Sequence, residues 1–381
     1  MSLNVLYIVT KLELGGAQKV CLSLFDGIRT RGGTSFLISG AEGTLAPAMQ
    51  GQPNVILLDS FKREFSLSCI WTEFKNFVSL IRTIRSLKKK NPNLIVHTHS
   101  TKAGLVGRWA ALFAGVSHRV HTVHGYGFHP YQSHFFWFVT FFLEWVTCLI
   151  TTHYICVSSA DARIGIKRFP RFSKKYSIIR AAIDWEQFYI PAHAAPVFPE
   201  QHEPFIFGTV SCFKEQKNLF DLLKAFDWVH RRNAQTRLEL VGDGHLRPDI
   251  EEWIKEHNLR DAITLHGWQD HVAPFMMNWH AFTLSSLWEG LPCASVEARL
   301  LRLPVLSYNT GGISDIIKHG KNGFLYPQQD WQALAHGMLE LTQKKELIRA
   351  LTMYQEDLSD FNNEVMVQKH ISLYTTLATQ E

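Results

Sequence analysis

Apolar residues along the chain fall into two alternating patterns: short unbroken runs, and longer stretches in which they recur every three or four positions. The runs at 5–9, 35–39, 55–58 and 94–98 read as buried strands, and the stretches from about 16 to 30 and from 71 to 90 read as helices. Further strands are expected at 119–123, 153–157 and 175–179, with an apolar helix over about 134–150 before the second of them. Such alternation builds a parallel, doubly wound sheet, because a parallel pair needs a long crossover and the crossover is usually helical. Residues 1–189 are therefore expected to form one Rossmann-like domain.

Between 190 and 204 the chain becomes proline-rich and loses periodicity, which places a linker there. A second series then starts, with strands at 205–210, 237–241, 263–266, 282–285, 304–307 and 323–326 and helices over 219–232, 246–257 and 293–301. Residues 205–364 form a second Rossmann-like domain on this reading, and 365–381 a helical tail that packs back on the first. No short repeat or low-complexity tract interrupts the pattern.

Composition narrows the picture. A chain of 381 residues, 46% hydrophobic and 19% charged, suits two α/β domains better than a single core. Six cysteines without a C-x-x-C pair fit a reducing compartment, and the start of the chain lacks a basic leader, so a cytoplasmic protein is expected. A net charge of +5 without a basic tract interleaved with aromatics argues against nucleic acid and fits anionic small molecules or lipid. The aromatic run 135–150 is shorter than the about 20 residues that span a bilayer, and it contains Glu144.

Candidate chemistry gathers where strands end. Gly15-Gly16 follows the first strand and opens a helix, where backbone N–H groups can approach an anion; a plain packing turn explains a lone Gly-Gly equally well. In the second half, Lys214 and Lys217 lie at the carboxyl end of strand 205–210, a place where open α/β sheets bind ligands, and lysines there suit a diphosphate. Gly242-Asp243-Gly244 ends the next strand in a turn that lets backbone come close to a nucleotide, or is simply a turn. The most informative stretch runs from Ser286 to Ala298, because it puts Glu289 before a helix and Glu297 inside it. Glu289 can accept from sugar hydroxyls and Glu297 from a ribose diol, and the apolar neighbours of Glu297 imply a largely buried helix. Gly311-Gly312 adds a further glycine pair after the next strand.

Together these residues resemble the retaining glycosyltransferases of family 4, with the GT-B fold of two Rossmann-like β/α/β domains facing a central cleft. The resemblance spans nearly the whole chain. It rests on Gly15-Gly16-Ala17-Gln18, on the segments 97–108 and 121–126, on Cys156-Val157-Ser158-Ser159, on Gln216-Lys217-Asn218, on 241–244, on Glu289-Gly290-Leu291-Pro292 through Glu297, and on Gly311-Gly312 with Asn322-Gly323. It implies that Lys217 binds the donor diphosphate, that Glu289 with the backbone of Gly290 and Leu291 holds the donor sugar, and that Glu297 binds the ribose. It also implies that Gly16 lies beneath the phosphates with Gly15, Gly242 and Gly244 on the donor side, and that His124 sits at the reacting centre. Lys102, Gly104, Gly125 and Tyr126 fall on the acceptor side. Three positions depart from the family pattern. Cys212 stands where a phosphate-binding arginine is usual, with Lys214 as substitute; Ala181-Ala182 replaces Asn-Gly; and Arg302 replaces a glycine.

The implied reaction is a metal-independent, front-side displacement on a nucleotide-sugar, taken to be a UDP-sugar, with no cofactor and a saccharide or lipid-linked saccharide as acceptor. No Asp-x-Asp motif is present. Helix 71–90, with Trp71, Phe74, Phe77, Ile81 and Ile84 and a basic end, and the aromatic segment 131–145 suggest peripheral contact with an anionic membrane at its cytoplasmic face. That would place the acceptor in cell-surface polysaccharide, lipopolysaccharide or glycolipid synthesis. A UDP-sugar 2-epimerase of the same fold and a catalytically weakened nucleotide-sugar binder are the alternatives, the latter supported only by Cys212 and Arg302.

Overall fold

The computed structural model describes residues 3–59, 61, 70–190 and 203–379, and of 70–72 the backbone alone. The chain forms two compact units, Met1–Ala182 with Asn362–Glu381, and Ile183–Phe361.

The first unit is built on a seven-stranded sheet of β1 (Asn4–Val9), β2 (Thr34–Gly40), β3 (Val55–Leu58), β4 (Leu94–His99), β5 (His118–Val123), β6 (His153–Cys156) and β7 (Tyr176–Ile178). Every neighbouring pair is parallel, in the order β3-β2-β1-β4-β5-β6-β7. Val5 through Val9 are fully buried, as expected of a strand covered on both faces. Helix Gly16–Thr30 buries Val20, Cys21, Leu24, Phe25 and Ile28, an i, i+4 stripe against the sheet.

Helix Asn363–Ala378 packs on helix Gly16–Thr30, and Gly27 is where the two backbones come close: a Cβ there would meet Val367 at 2.7 Å. The fold of the first unit thus uses residues from both ends of the chain.

The second unit carries β8 (Phe205–Val210), β9 (Thr236–Val241), β10 (Ile263–Gly267), β11 (Ala281–Leu284), β12 (Val305–Tyr308) and β13 (Gly323–Tyr326), again all parallel, in the order β10-β9-β8-β11-β12-β13. Each sheet therefore reverses its order once, between β1 and β4 and between β8 and β11. Loops leaving the carboxyl ends at such a point diverge and leave room for a ligand.

The boundary differs from the sequence-based placement at 189. Ile183 N donates to Phe361 O at 3.1 Å, helix Trp185–Phe188 packs on helix Cys293–Leu300, and Ile190 N donates to Leu300 O at 3.2 Å, so residues 183–190 join the second unit. The second unit ends at Phe361, not 364. Of the expected linker, residues 191–202 lie outside the described residues.

Helix His134–Ile150 is laid on the first unit by a polar seam. Glu144, 6% exposed, takes two hydrogen bonds from the fully buried guanidinium of Arg108, at 2.9 and 2.8 Å, and Tyr154 Oη donates to it at 3.0 Å. Trp137 and Phe141 pack inward against Phe128, while Phe135, Phe136, Phe138, Phe142, Leu143, Trp145 and Leu149 face outward. This helix buries its charge and exposes its aromatic rings. Among the described residues no helix is long and apolar enough to cross a membrane.

Candidate functional site

In the second unit, two loops leave the strands that flank the reversal point. After β8 the chain makes a single turn of 3-10 helix, Glu215–Lys217, and enters helix Leu219–His230 through Asn218, held left-handed at φ 46°. After β11 it runs through 285–292 into helix Cys293–Leu300. Gln216 stitches the two loops: its carbonyl accepts from Leu287 N at 2.8 Å, and its side-chain amide donates to Trp288 O at 2.6 Å. Ser285 Oγ donates to Lys217 O at 2.9 Å. This lattice brings Lys217 Nζ to Glu289 Oε1 at 2.5 Å, with the side chains 17% and 9% exposed. Lys217 and Glu289, separated by 72 positions, are therefore one cluster.

Glycines let neighbouring loops seat against this pair. Gly311 has φ 52°, and a Cβ on it would lie 2.0 Å from Glu289 O; Gly312 N donates to Gly290 O at 2.7 Å. On the other flank a Cβ on Gly242, at φ 126°, would lie 1.9 Å from Ser211 O, and one on Gly244 would lie 2.4 Å from Phe213 O. Gly242 and Gly244 thus serve the close approach of the turn after β9 to the loop after β8. Gly290 and Leu291 are buried, Lys214 is half-buried in that same loop, and Lys214 N donates to Cys212 O at 3.0 Å. Glu297 is half-buried, less covered than the apolar flanks suggested, because the helix turns Val296 and Ala298 inward and Glu297 toward its margin.

In the first unit, Gly15 is the N-cap of a 15-residue helix that has neither a side-chain cap nor an acidic residue in its first turn, and Gly16 is exposed. Its first N–H groups carry the positive end of the helix dipole, and no acidic side chain lies in its first turn. Thr10 after β1 and Ser100 after β4 bond at 2.6 Å between their hydroxyls, closing the floor of this reversal point.

His124 follows β5 directly. Its Nε2 lies 3.0 Å from His99 Nδ1, and burial, with a smaller push from nearby His370, holds its pKa down to about 3. Behind it stands a layer that joins His97 and His99 to residues far apart in the chain. His97 Nδ1 and Nε2 bond to Tyr374 Oη at 2.5 Å and Thr122 Oγ1 at 2.7 Å, and Tyr374 Oη lies 3.3 Å from Tyr7 Oη. Burial, then neighbouring imidazoles and, for His121, the charge of Arg108, keep His97, His99 and His121 well below the usual histidine range.

Two residues expected on the acceptor side are packed within the first unit. Lys102, 4% exposed, pairs with Glu73 at 2.7 Å, and Gly104 leaves room for the His121 ring, which a Cβ would meet at 2.4 Å. Gly125 turns at φ 95°, and the Tyr126 ring stacks on Phe128 with centroids 5.0 Å apart; its hydroxyl is buried without a partner among the described residues.

Comparison with known proteins follows the same division. The family model described as glycosyl transferases group 1 matches residues 194–357, and that described as glycosyltransferase family 4 matches residues 14–187. An Escherichia coli UDP-Gal:alpha-D-GlcNAc-diphosphoundecaprenol alpha-1,3-galactosyltransferase is 29% identical over 97% of this chain and 95% of its own. A Staphylococcus aureus capsular polysaccharide biosynthesis glycosyltransferase, CapM, is 22% identical over 80% of this chain and 82% of its own. Among solved structures, Anabaena HepE in complex with UDP and glucose superposes with a TM-score of 0.80 at 16% identity, covering 98% of this chain and all of that one. A sucrose-phosphate synthase from Thermosynechococcus elongatus gives 0.81 at 19% identity, over 99% and 100%. These structural likenesses establish the fold.

Proposed function

The chain belongs to the glycosyltransferases of group 1 and family 4, with the GT-B fold, and on that footing we propose that it transfers a sugar from a uridine diphosphate donor to a lipid-linked saccharide, retaining the anomeric configuration and using no metal ion. The observation that carries this reading is the Lys217–Glu289 cluster at the reversal point of the second sheet, a cation and a carboxylate held together by two loops. Lys217 and Lys214 meet the charge that grows on the leaving diphosphate, the role a divalent ion fills elsewhere. Glu289 and the main chain of Gly290 and Leu291 hold the sugar hydroxyls, and Glu297 the ribose. Gly15 and Gly16 offer main-chain N–H groups to phosphate oxygens. The acceptor oxygen forms its bond to the anomeric carbon on the face from which the diphosphate departs; the bond to the phosphate oxygen breaks, and the departing diphosphate takes the acceptor proton.

The uridine base and the lipid-linked acceptor are supported by the name of the Escherichia coli relative, and a role in surface polysaccharide synthesis by that of CapM. Contact with the cytoplasmic face of the membrane is supported by the outward rings of helix His134–Ile150, with Phe135 71% and Phe138 61% exposed. Phe113, exposed at the end of helix Thr101–Phe113, which packs on helix His134–Ile150, accepts at its backbone carbonyl from the Arg85 guanidinium at 2.8 Å, so aromatic surface adjoins the basic end of helix Ile70–Lys90. Trp71 of that helix lies outside the residues whose side chains are described. Rings beside lysines and arginines suit an anionic bilayer surface.

The test is incubation with a panel of labelled UDP-sugars and undecaprenyl-diphosphate-linked N-acetylglucosamine, with and without EDTA. Acceptor-dependent release of UDP that survives EDTA, with an α-linked product from an α-linked donor, supports the proposal. Sugar interconversion without UDP release, or binding alone, would refute it.

A further inference from the structure

The last residue of β4 and the first residue after β5 are both histidines, and adjacency of the two strands brings them together, His99 Nδ1 to His124 Nε2 at 3.0 Å. Neither ring carries a charge, since burial and neighbouring imidazoles hold both pKa values far down. A hydrogen bond between two neutral imidazoles needs one donor and one acceptor, so the tautomer of one fixes that of the other. His99 is fully buried and its Nε2 has no partner among the described residues. A proton on that nitrogen would be an orphaned buried N–H, a rarer and costlier defect than an unused lone pair. His99 accordingly holds its proton on Nδ1 and donates it to His124 Nε2, which leaves the His124 proton on Nδ1.

The orientation is held from behind. The His99 ring lies 4.3 Å from the His97 ring, whose two nitrogens are both engaged, and 6.1 Å from the ring of Tyr7. Nothing in this layer is charged, so it works as a rigid mount and not as a proton path.

We infer that His99 is a positioning residue that fixes His124 as the Nδ1–H tautomer, so that His124 can only donate a hydrogen bond to the bound sugar and cannot act as the base for the acceptor hydroxyl. This rests on the reading that His124 faces the reacting sugar. It agrees with a mechanism in which the acceptor proton leaves on the diphosphate.

The test has two arms. Long-range ¹H–¹⁵N spectra of protein labelled with ¹⁵N-histidine, with His124 assigned by its loss in His124→Gln, are expected to show one tautomer for His124, protonated at Nδ1, and tautomer averaging in His99→Leu. A wild-type His124 that is protonated at Nε2 or averaged overturns the inference. In the kinetic arm, His99→Asn keeps an amide donor near the Nδ1 position and is expected to hold kcat within roughly threefold, while His99→Leu loses about tenfold in kcat with little change in KM for the UDP-sugar. Equal losses in the two variants, in step with their Tm, also overturn it. If the wild type transfers no sugar to any acceptor, it is the function reading that fails, and the spectra still decide the tautomer.

Discussion

Replacing Lys217 by methionine separates catalysis from stability. The ion pair with Glu289 is short, 2.5 Å, and its two side chains are 17% and 9% exposed, so it lies between the surface and interior regimes. Surface pairs contribute about 0–1 kcal/mol and breaking a buried one costs about 3–5 kcal/mol, which places this loss at roughly 1–2 kcal/mol. For a unit of this size that lowers Tm by roughly 2–8 °C and leaves the protein folded at 25 °C. Removing a preorganised charge from the leaving diphosphate, in contrast, is expected to cost roughly 10²–10³ in kcat. The double variant Lys217→Met/Glu289→Gln discriminates further. It removes both charges, so it is expected to regain most of the lost Tm, because no unpaired carboxylate stays behind, but none of the lost kcat. UDP release from a labelled donor, with thermal melts on the same samples, measures both. If the double variant recovers activity in proportion to Tm, or if Lys217→Met loses less than about fivefold in kcat, the lysine is only a strut for Glu289 and the assignment is wrong.

Three other outcomes are expected. Gly311→Ala introduces a Cβ at φ 52° and 2.0 Å from Glu289 O, so it is expected to weaken UDP-sugar binding at least tenfold, about 1.4 kcal/mol, with a modest fall in Tm; unchanged affinity by calorimetry would contradict the packing argument. The folded-state pKa values of His97, His99 and His121 are depressed, with His370 at about 4 and His124 at about 3, whereas unfolded histidine titrates near 6.5. Below about pH 6.5 the unfolded chain binds protons that the fold refuses, so each loses about 1.4 kcal/mol of stability per pH unit as pH falls from about 6.5 toward 4. Hydrogen exchange across that range should show the first unit opening before the second, and equal opening would argue against it. Finally, Phe135→Ser/Phe138→Ser/Phe142→Ser is expected to abolish flotation with anionic vesicles while leaving Tm unchanged or higher; persistent flotation, or a large fall in Tm, would show that these rings serve the fold.

Much of the architecture was legible because both sheets are buried on two faces, and such strands advertise themselves as unbroken apolar runs: all six residues of β8 lie within the stretch read from the sequence. A local motif stands out at Glu289-Gly290-Leu291-Pro292, where Glu289 pairs with Lys217 at 2.5 Å, Gly290 O accepts from Gly312 N at 2.7 Å and Pro292 opens helix Cys293–Leu300. What could not be read depends on contacts between distant segments. The proline-rich stretch marks chain without periodicity, but the unit boundary is fixed by where residues 183–190 find hydrogen bonds and packing. Lys102, placed on the acceptor side by resemblance, is buried and pairs with Glu73 of another helix, a contact that spacing along the chain does not show. Arg302, noted as an odd replacement for glycine, has φ 61°, so the backbone keeps the left-handed turn although the residue does not favour it. His99 lies in the segment 97–108 that carries the resemblance, but its contact with His124 was not legible because adjacency of strand ends is a property of the sheet and not of spacing along the chain.

The hydroxyl contact between Tyr7 and Tyr374 joins positions 367 residues apart, whereas the second unit is one continuous segment. During synthesis the segment ending at Phe361 can finish folding while the earlier unit still waits for its closing helix. The earlier unit therefore matures last, with its ring layer open to water until then. A stop codon that removed only Tyr374 onward would strike at the opposite end of the molecule's primary structure, sparing the second unit and leaving the first to the cell's proteases.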